Sequence, residues 1–201
     1  MEKRRIVVGM SGASGAILGI RLLRELRKAD IETHLVLSDW AKKTIELETD
    51  YTVDDVCSLA DLVHAADNMA ACISSGSFRT DGMVLVPCSM KTLSAVANGF
   101  SYNLIARAAD VTLKERRPLV VVPRETPLSP IHLRNMLSLS GDGAILLPPC
   151  IGFYTGPKNL DEAIDHIVGK IMDELHIAHH LYKRWEGTEY CQKEENNGFS
   201  R

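Results

Sequence analysis

Glycines, alanines and hydroxyl residues crowd one stretch near the start of the chain. Gly9-Met10-Ser11-Gly12-Ala13-Ser14-Gly15-Ala16 directly follows the apolar run Ile6-Val7-Val8. Glycines allow tight turns and close backbone approach. A helix opening near Ala16 turns free N–H groups and its positive end toward this loop, and Ser11 and Ser14 add hydroxyl donors. Such a set suits a phosphate. It equally suits a plain turn that packs helix on strand, so the loop alone leaves both readings open. The loop is not Gly-x-Gly-x-x-Gly and has no Gly-Lys-Ser/Thr, and the second apolar run ends in Ser38 rather than an acid. That disfavours NAD and nucleoside triphosphates.

Other segments able to do chemistry also follow apolar runs. Ser89-Met90-Lys91-Thr92 comes after Met83–Val86 and reads as a second anion site or as an ordinary helix cap. Pro123-Arg124-Glu125-Thr126-Pro127 comes after Leu119–Val122, and Tyr154 lies a little beyond Ala144–Leu147. Arg107, Asp110 and Lys114 share one helix face, either as a solvated ion-pair ladder or as cations for a substrate phosphate. His176, His179 and His180 read as a surface cluster rather than a metal site, and no metal is expected. Cys88 has no histidine placed to activate it and reads as core packing.

These segments need a scaffold, and the apolar patterning supplies one. Strands are expected at Ile6–Val8, Glu32–Leu37, Met83–Val86, Leu119–Val122 and Ala144–Leu147, most without polar alternation. Helices are expected at Ala16–Lys28, Asp39–Glu48, Val53–Val63 (capped by Thr52), Lys91–Asn98, Asn103–Glu115, Pro130–Leu139 and Leu160–Leu175, with a short one at Ala178–Trp185. Continuous Val/Ile/Leu strands alternating with helices predict a parallel sheet covered on both faces. The fold class is α/β: a single doubly wound, Rossmann-like or flavodoxin-like domain with a mainly parallel sheet. In such sheets ligands bind beyond the carboxyl ends of the strands, which would bring the segments above to one edge.

Composition narrows the partners. In 201 residues, 23 Lys and Arg against 26 Asp and Glu leave a net charge of -3, which predicts no general affinity for nucleic acid or anionic membrane. No stretch approaches a membrane span. The charged start before a short, glycine-broken apolar run reads as a strand rather than a signal, and five scattered cysteines without Cys-x-x-Cys read as reduced, so a cytoplasmic protein is expected. One domain is expected over 1–187, followed by a polar, mobile tail over 188–201.

Several motifs in order then carry a resemblance. They are Ser11-Gly12-Ala13-Ser14-Gly15-Ala16, Leu47-Glu48-Thr49-Asp50, Pro87-Cys88-Ser89, Arg107-Ala108-Ala109-Asp110-Val111, Leu113-Lys114-Glu115-Arg116-Arg117-Pro118, Pro123-Arg124-Glu125-Thr126-Pro127-Leu128, Gly152-Phe153-Tyr154 and Arg184-Trp185. From about Ile6 to Gly187 the chain resembles the UbiX-type flavin prenyltransferases, including the small subunits of phenolic-acid decarboxylase systems. The resemblance implies that reduced FMN and dimethylallyl phosphate are joined at flavin N5 and C6 without a metal. The prenylated FMN would serve a separate UbiD-type decarboxylase. It assigns FMN contacts to Gly12, Ala13, Ser14, Ser38, Ser89, Met90, Lys91, Thr92 and Arg124, and dimethylallyl phosphate contacts to Arg107, Lys114, Glu125, Tyr154 and Lys170. Lys170 stands where many members of the family have arginine, which keeps the charge and loses the bidentate fork. Ser14, Glu48, Lys114, Glu125 and Trp185 become the catalytic candidates. Glu48 is the candidate base for the C6 proton, Ser14 and Glu125 for proton relay near N5, and Trp185 for a π face toward the allylic group. The resemblance also implies a large homo-oligomer, commonly a dodecamer, with the site at a subunit junction.

Two alternatives are a cysteine decarboxylase, whose class has a related phosphate loop, and a flavin carrier. An FMN-dependent cysteine decarboxylase would resemble Pro-x-Met-Asn with a catalytic histidine, where this chain has Pro123-Arg124-Glu125-Thr126. A non-catalytic flavin carrier would have no use for Arg107, Lys114, Glu125 and Lys170 around the flavin.

Overall fold

The computed structural model describes residues 3–185 and Gly187. The expected tail over 188–201 lies outside the described residues. Six strands form one sheet: β1 (Arg5–Met10), β2 (Glu32–Leu37), β3 (Leu62–Ala65), β4 (Gly82–Cys88), β5 (Leu119–Pro123) and β6 (Ile145–Leu146). Their order is β3-β2-β1-β4-β5-β6, and every pairing is parallel. The chain winds one way from β1 and then the other, so the switch point lies between β1 and β4.

Among the described residues seven α-helices cover the two faces: α1 (Ala16–Lys28), α2 (Asp39–Glu48), α3 (Val53–Ser58), α4 (Met90–Ala97), α5 (Leu104–Lys114), α6 (Pro130–Gly141) and α7 (Leu160–Glu174). Ile6, Val8, Val84 and Val86 point into the core shared with α1, α2, α3 and α7. Val7, Met83 and Leu85 point into the core shared with α4, α5 and α6. Both sides of β1 and β4 are thus buried, which is why their sequences show no polar alternation. Among the described residues no helix is long and apolar enough to cross a membrane.

Short polar side chains start most helices. Ser38, Thr52, Ser89, Asn103, Ser129 and Asn159 each accept an N–H from the first turn, with a reciprocal bond from Asp55 at Thr52. α1 differs. Its N-cap, Gly15, has φ 105°, which favours glycine, and carries no side-chain oxygen to offer.

Two expected elements differ. The helix expected over Val53–Val63 is instead α3 and the edge strand β3. Asp61 explains the break: its carboxylate accepts the Thr33 N–H at 2.8 Å and the Thr33 hydroxyl at 3.1 Å, drawing the chain onto β2. Four residues with an exposed face carry too little pattern to announce that strand. The helix expected over Ala178–Trp185 is not formed; side chains there turn back onto Asp173 instead, with His179 at 3.1 Å and Arg184 at 2.6 Å. His179 is consequently buried, its side chain 2% exposed, and does not belong to a surface cluster.

α1 packs very close to the sheet. A Cβ on Gly19 would lie 2.7 Å from the Val86 carbonyl oxygen and 2.7 Å from Met10 Cε. Gly19→Ala is expected to destabilise the fold by about 1–3 kcal/mol, outweighing the ~1 kcal/mol helix preference of alanine over glycine. Urea unfolding followed by circular dichroism measures this, and an unchanged or raised midpoint would contradict the close packing.

Candidate active site

At the switch point one buried hydroxyl joins the two strand ends. Ser11 Oγ donates to the Pro87 carbonyl at 3.2 Å and accepts the Ser89 N–H at 2.8 Å, while the Ser11 N–H donates to the same carbonyl at 3.1 Å. Beyond this clasp the chain departs to opposite faces and leaves a cleft of about 560 Å³. Ser11 and Gly12 form its floor, Ser38, Asp39, Trp40 and Lys42 one side, Ser89, Lys91 and Thr92 the other. Ala65, Ala66 and Asp67, just after β3, close the outer wall. Gly12 allows the close approach of Trp40, because a Cβ there would collide with Trp40 Cβ.

Three helix N-termini line the cleft, those of α2 at Ser38, α4 at Ser89 and α5 at Asn103. Ser89 Oγ accepts the Thr92 N–H at 3.3 Å, and Thr92 Oγ1 lies 3.2 Å from the Tyr102 hydroxyl. Lys91 Nζ sits 4.9 Å above the Tyr102 ring. Positive helix ends, hydroxyls and an ammonium group make this a fit for a phosphate-bearing ligand, and the volume suits one of nucleotide size. Met90 opens α4 and packs half-buried on the core.

The first N–H groups of α1 do not face an open anion site, because a carboxylate of the chain holds them. Gly15 N–H and Ala16 N–H donate to Glu48 Oε2 at 2.8 and 3.2 Å. Glu48 is the last residue of α2, which starts at the cleft and ends over α1. Burial pushes its carboxyl up, but the Ser14 hydroxyl, the two N–H groups and the Arg124 charge outweigh this and hold it below the ordinary glutamate value. The α1 terminus thus holds Ser14, Glu48 and Arg124 together, while the α2 and α4 termini stay turned to the cleft. Ala13 stays in the loop, its N–H donating to the Ser11 carbonyl at 2.8 Å. Arg124 is placed by its own N–H, which donates to the Cys88 carbonyl at 3.1 Å. Glu125 follows as an exposed residue, and its carboxylate accepts the Thr126 N–H at 3.0 Å. Cys88 is fully buried, and desolvation pushes its thiol up to about 12, so it packs rather than reacts.

The remaining expected residues lie elsewhere in the chain. Tyr154 and Trp185 meet edge to face with centroids 5.9 Å apart, both well exposed. Lys170, on α7, lies 3.8 Å from Asp173 Oδ2. Burial pushes Asp173 up, but Arg184, Tyr182 and His179 override it and hold the group well below the ordinary aspartate value. Arg107 Nη1 pairs with Asp110 at 2.7 Å while its Nε donates to the Ser74 carbonyl at 3.1 Å, and Lys114 pairs with Glu115. Arg107 and Lys114 thus sit on the α5 face and Lys170 on the α7 face, with the sheet between them. Lys114 also ends a helix that begins at the cleft, about 16 Å away at 1.5 Å per residue. One chain does not bring these cations together.

The sequence reading missed Trp40, Tyr102 and the wall Ala65–Asp67. Trp40 and Tyr102 are rare aromatics in a chain with 5% aromatic residues, which was the available signal. The wall depended on the unexpected strand β3.

Comparison with known proteins settles the family. The flavoprotein family model matches residues 1–176. A probable UbiX-like flavin prenyltransferase of Streptomyces sp. (strain D7) is 55% identical over 91% of this chain and 92% of its own. The chain belongs to the UbiX-like flavin prenyltransferases. The crystal structure of a member of this family, AnUbiX (PadA1), in complex with FMN and dimethylallyl pyrophosphate, superimposes with a TM-score of 0.92 at 53% identity, covering 93% of this chain and all of that one. A dodecameric FMN-dependent UbiX-like decarboxylase from Escherichia coli O157:H7 gives 0.89 at 53% identity, covering 91% and 100%. The cysteine decarboxylase TvaF, at 15% identity and a TM-score of 0.62, shares the fold alone.

Two outcomes follow from the geometry. Gly12→Ala displaces Trp40 from the cleft and is expected to weaken FMN binding at least about tenfold, or 1.4 kcal/mol, as read by flavin fluorescence. Unchanged affinity would remove Gly12 from the site. Glu48, with its lowered folded-state value, contributes its full charge-dependent stability above about pH 4.3, the free glutamate value. That contribution is lost as pH falls through the folded value. The gap in thermal midpoint between wild type and Glu48→Gln is therefore expected to close on acidification. A gap constant into the acid range would show that the carboxylate does not hold the α1 terminus by charge.

Proposed function

We propose that this chain joins the dimethylallyl group of dimethylallyl phosphate to N5 and C6 of reduced FMN, and that the prenylated FMN serves a UbiD-type decarboxylase. The observation that carries the reading is the two-part site at the switch point. A phosphate-ready cleft at the α2 and α4 termini adjoins a Ser14–Glu48–Arg124 cluster that no simple flavin carrier needs. Dimethylallyl pyrophosphate, bound by the AnUbiX structure, carries the same allylic group.

Ser38, Ser89, Lys91 and Thr92 bind the flavin phosphate, with Gly12, Ala13 and Met90 against the rest of the molecule. This places the isoalloxazine toward Ser14 and Arg124. Transfer breaks the allylic C–O bond, and its electron pair leaves with the phosphate. The allylic C1 bonds to N5, whose N–H gives up its proton; the remaining C=C then takes up a proton at C2, its C3 bonds to C6, and C6 gives up its proton. Arg107, Lys114, Tyr154 and Lys170 stabilise the departing phosphate, and Trp185 offers its π face to the allylic cation character. Glu48 accepts the C6 proton. Ser14 and the two N–H groups that now hold it would have to yield as it does so, because a carboxylate with three donors is a weak base. Ser14 and Glu125 relay protons near N5. No metal is needed, since cationic side chains take the leaving group's charge.

Because the α5 and α7 cations lie on opposite faces, one copy supplies Arg107 and Lys114 and another supplies Tyr154, Lys170 and Trp185. A dodecamer like that of the Escherichia coli O157:H7 protein would provide such junctions. Free Cys57, Cys72, Cys88 and Cys150 support a reducing cytoplasmic setting.

Incubation with reduced FMN and dimethylallyl phosphate under anaerobic conditions is expected to add one C5 unit to the flavin by mass. Unchanged FMN from flavin-loaded protein overturns the proposal. Glu48→Gln is expected to slow formation of the tetracyclic product by about 10²-fold, and a full rate would remove Glu48 as base. Lys114→Ala and Tyr154→Phe are each expected to be impaired alone, and co-expression of the two is expected to restore part of the activity. Failure of co-expressed, co-purified subunits to recover activity would place both residues in one copy's site.

A further inference from the structure

Outside the flavin site, three potential ligands converge beneath the sheet edge. His34 lies on β2, His64 on β3, and Cys72 in the short 3₁₀ turn that follows. One ligand atom from each falls within 4.8 Å of the others. We propose that His34, His64 and Cys72 form a binding site for a borderline-soft divalent cation, of which Zn²⁺ is the best match, with the fourth position open to water.

The hydrogen bonds already orient the ligands. His34 Nε2 lies 3.0 Å from Glu32 Oε1, and Glu32 is itself paired with Arg5 Nε at 2.9 Å. That carboxylate keeps the proton on Nε2 and leaves the Nδ1 lone pair facing His64. The arrangement is the carboxylate–histidine pair that supports imidazole ligands. His34 Nδ1 and His64 Nε2 are 2.9 Å apart, an N–H···N bond in which His64 donates. Two Zn–N bonds of about 2.0–2.1 Å at a tetrahedral angle set the nitrogens roughly 3.3 Å apart. A few tenths of an ångström of opening, with the His64 proton moved to Nδ1, therefore suffices. The Cys72 thiol releases one proton as it binds, making a two-nitrogen, one-thiolate set. Such a set selects Zn²⁺ over Mg²⁺ or Ca²⁺, which prefer oxygen.

The site has a structural consequence. It would cross-link β2, β3 and the following turn, the elements that carry Ala65, Ala66 and Asp67 to the outer wall of the flavin cleft. Ala66 is also tied to α5, its carbonyl accepting the Leu104 N–H at 2.8 Å. None of the three ligands belongs to the prenyl transfer machinery.

Co²⁺ is the probe, added to chelator-treated full-length protein with reduced thiols. One Co²⁺ per chain is expected, with a thiolate-to-cobalt charge-transfer band that Zn²⁺ displaces. Cys72→Ser, at an exposed position, is expected to abolish the band while the protein still binds FMN. Glu32→Gln is expected to weaken Co²⁺ binding by about 10–100-fold while keeping the band at saturation. No band, or a band that survives Cys72→Ser, overturns the proposal.

Discussion

One buried hydroxyl, that of Ser11, holds together the place on which the site depends. It donates to the end of β4 through Pro87 and accepts from Ser89, so β1 and β4 finish at a fixed separation. α1 then leaves to one face and α4 to the other. A doubly wound sheet must part its helices at this point, and the parting makes the crevice. Ser11 also lies 3% exposed, which makes its paired hydrogen bonds necessary as well as useful, because an unpaired buried hydroxyl is costly.

Charge is distributed around that crevice by the same geometry. Four helices, α1, α2, α4 and α5, begin near it, and each presents unpaired N–H groups, those of α5 partly met by Asn103. Those of α2 and α4 are partly met by Ser38 and Ser89 and remain turned to the cleft. Those of α1 are met by Glu48. A full negative charge at a helix N-terminus is favourable, and it keeps Glu48 ionised and beside Ser14. The loop that looks most like a phosphate cradle in the sequence thus holds a carboxylate of its own chain, and the helix ends left facing the cleft are those of its neighbours.

The two faces of the sheet set the limit of a single chain. α5 carries Arg107 and Lys114 on one side, and α7 carries Lys170 on the other. A parallel sheet buried on both faces leaves no path between them. The local pairs Arg107–Asp110, Lys114–Glu115 and Lys170–Asp173 keep these cations in place on the surface, where a second copy could use them. Association would turn solvated ladders into a site.

Periodicity and caps in the sequence determined the fold class, most of the strands and helices, and the edge where chemistry would gather. Runs such as Val84-Leu85-Val86 announce a strand buried on both faces, and Ser89 and Asn103 announce helix starts by their side-chain chemistry. The motif order determined the family. What the sequence left open required distance. β3 is four residues stabilised by pairing to β2 and by Asp61 on Thr33, contacts that no local pattern contains. Glu48 reaches Gly15 across 33 positions of chain, and His34, His64 and Cys72 meet only when the edge strand is in place. Residue types and their spacing determined what this protein is able to bind. The tertiary structure decided which donor faces which acceptor, because hydrogen bonds and charges act through space over a few ångströms.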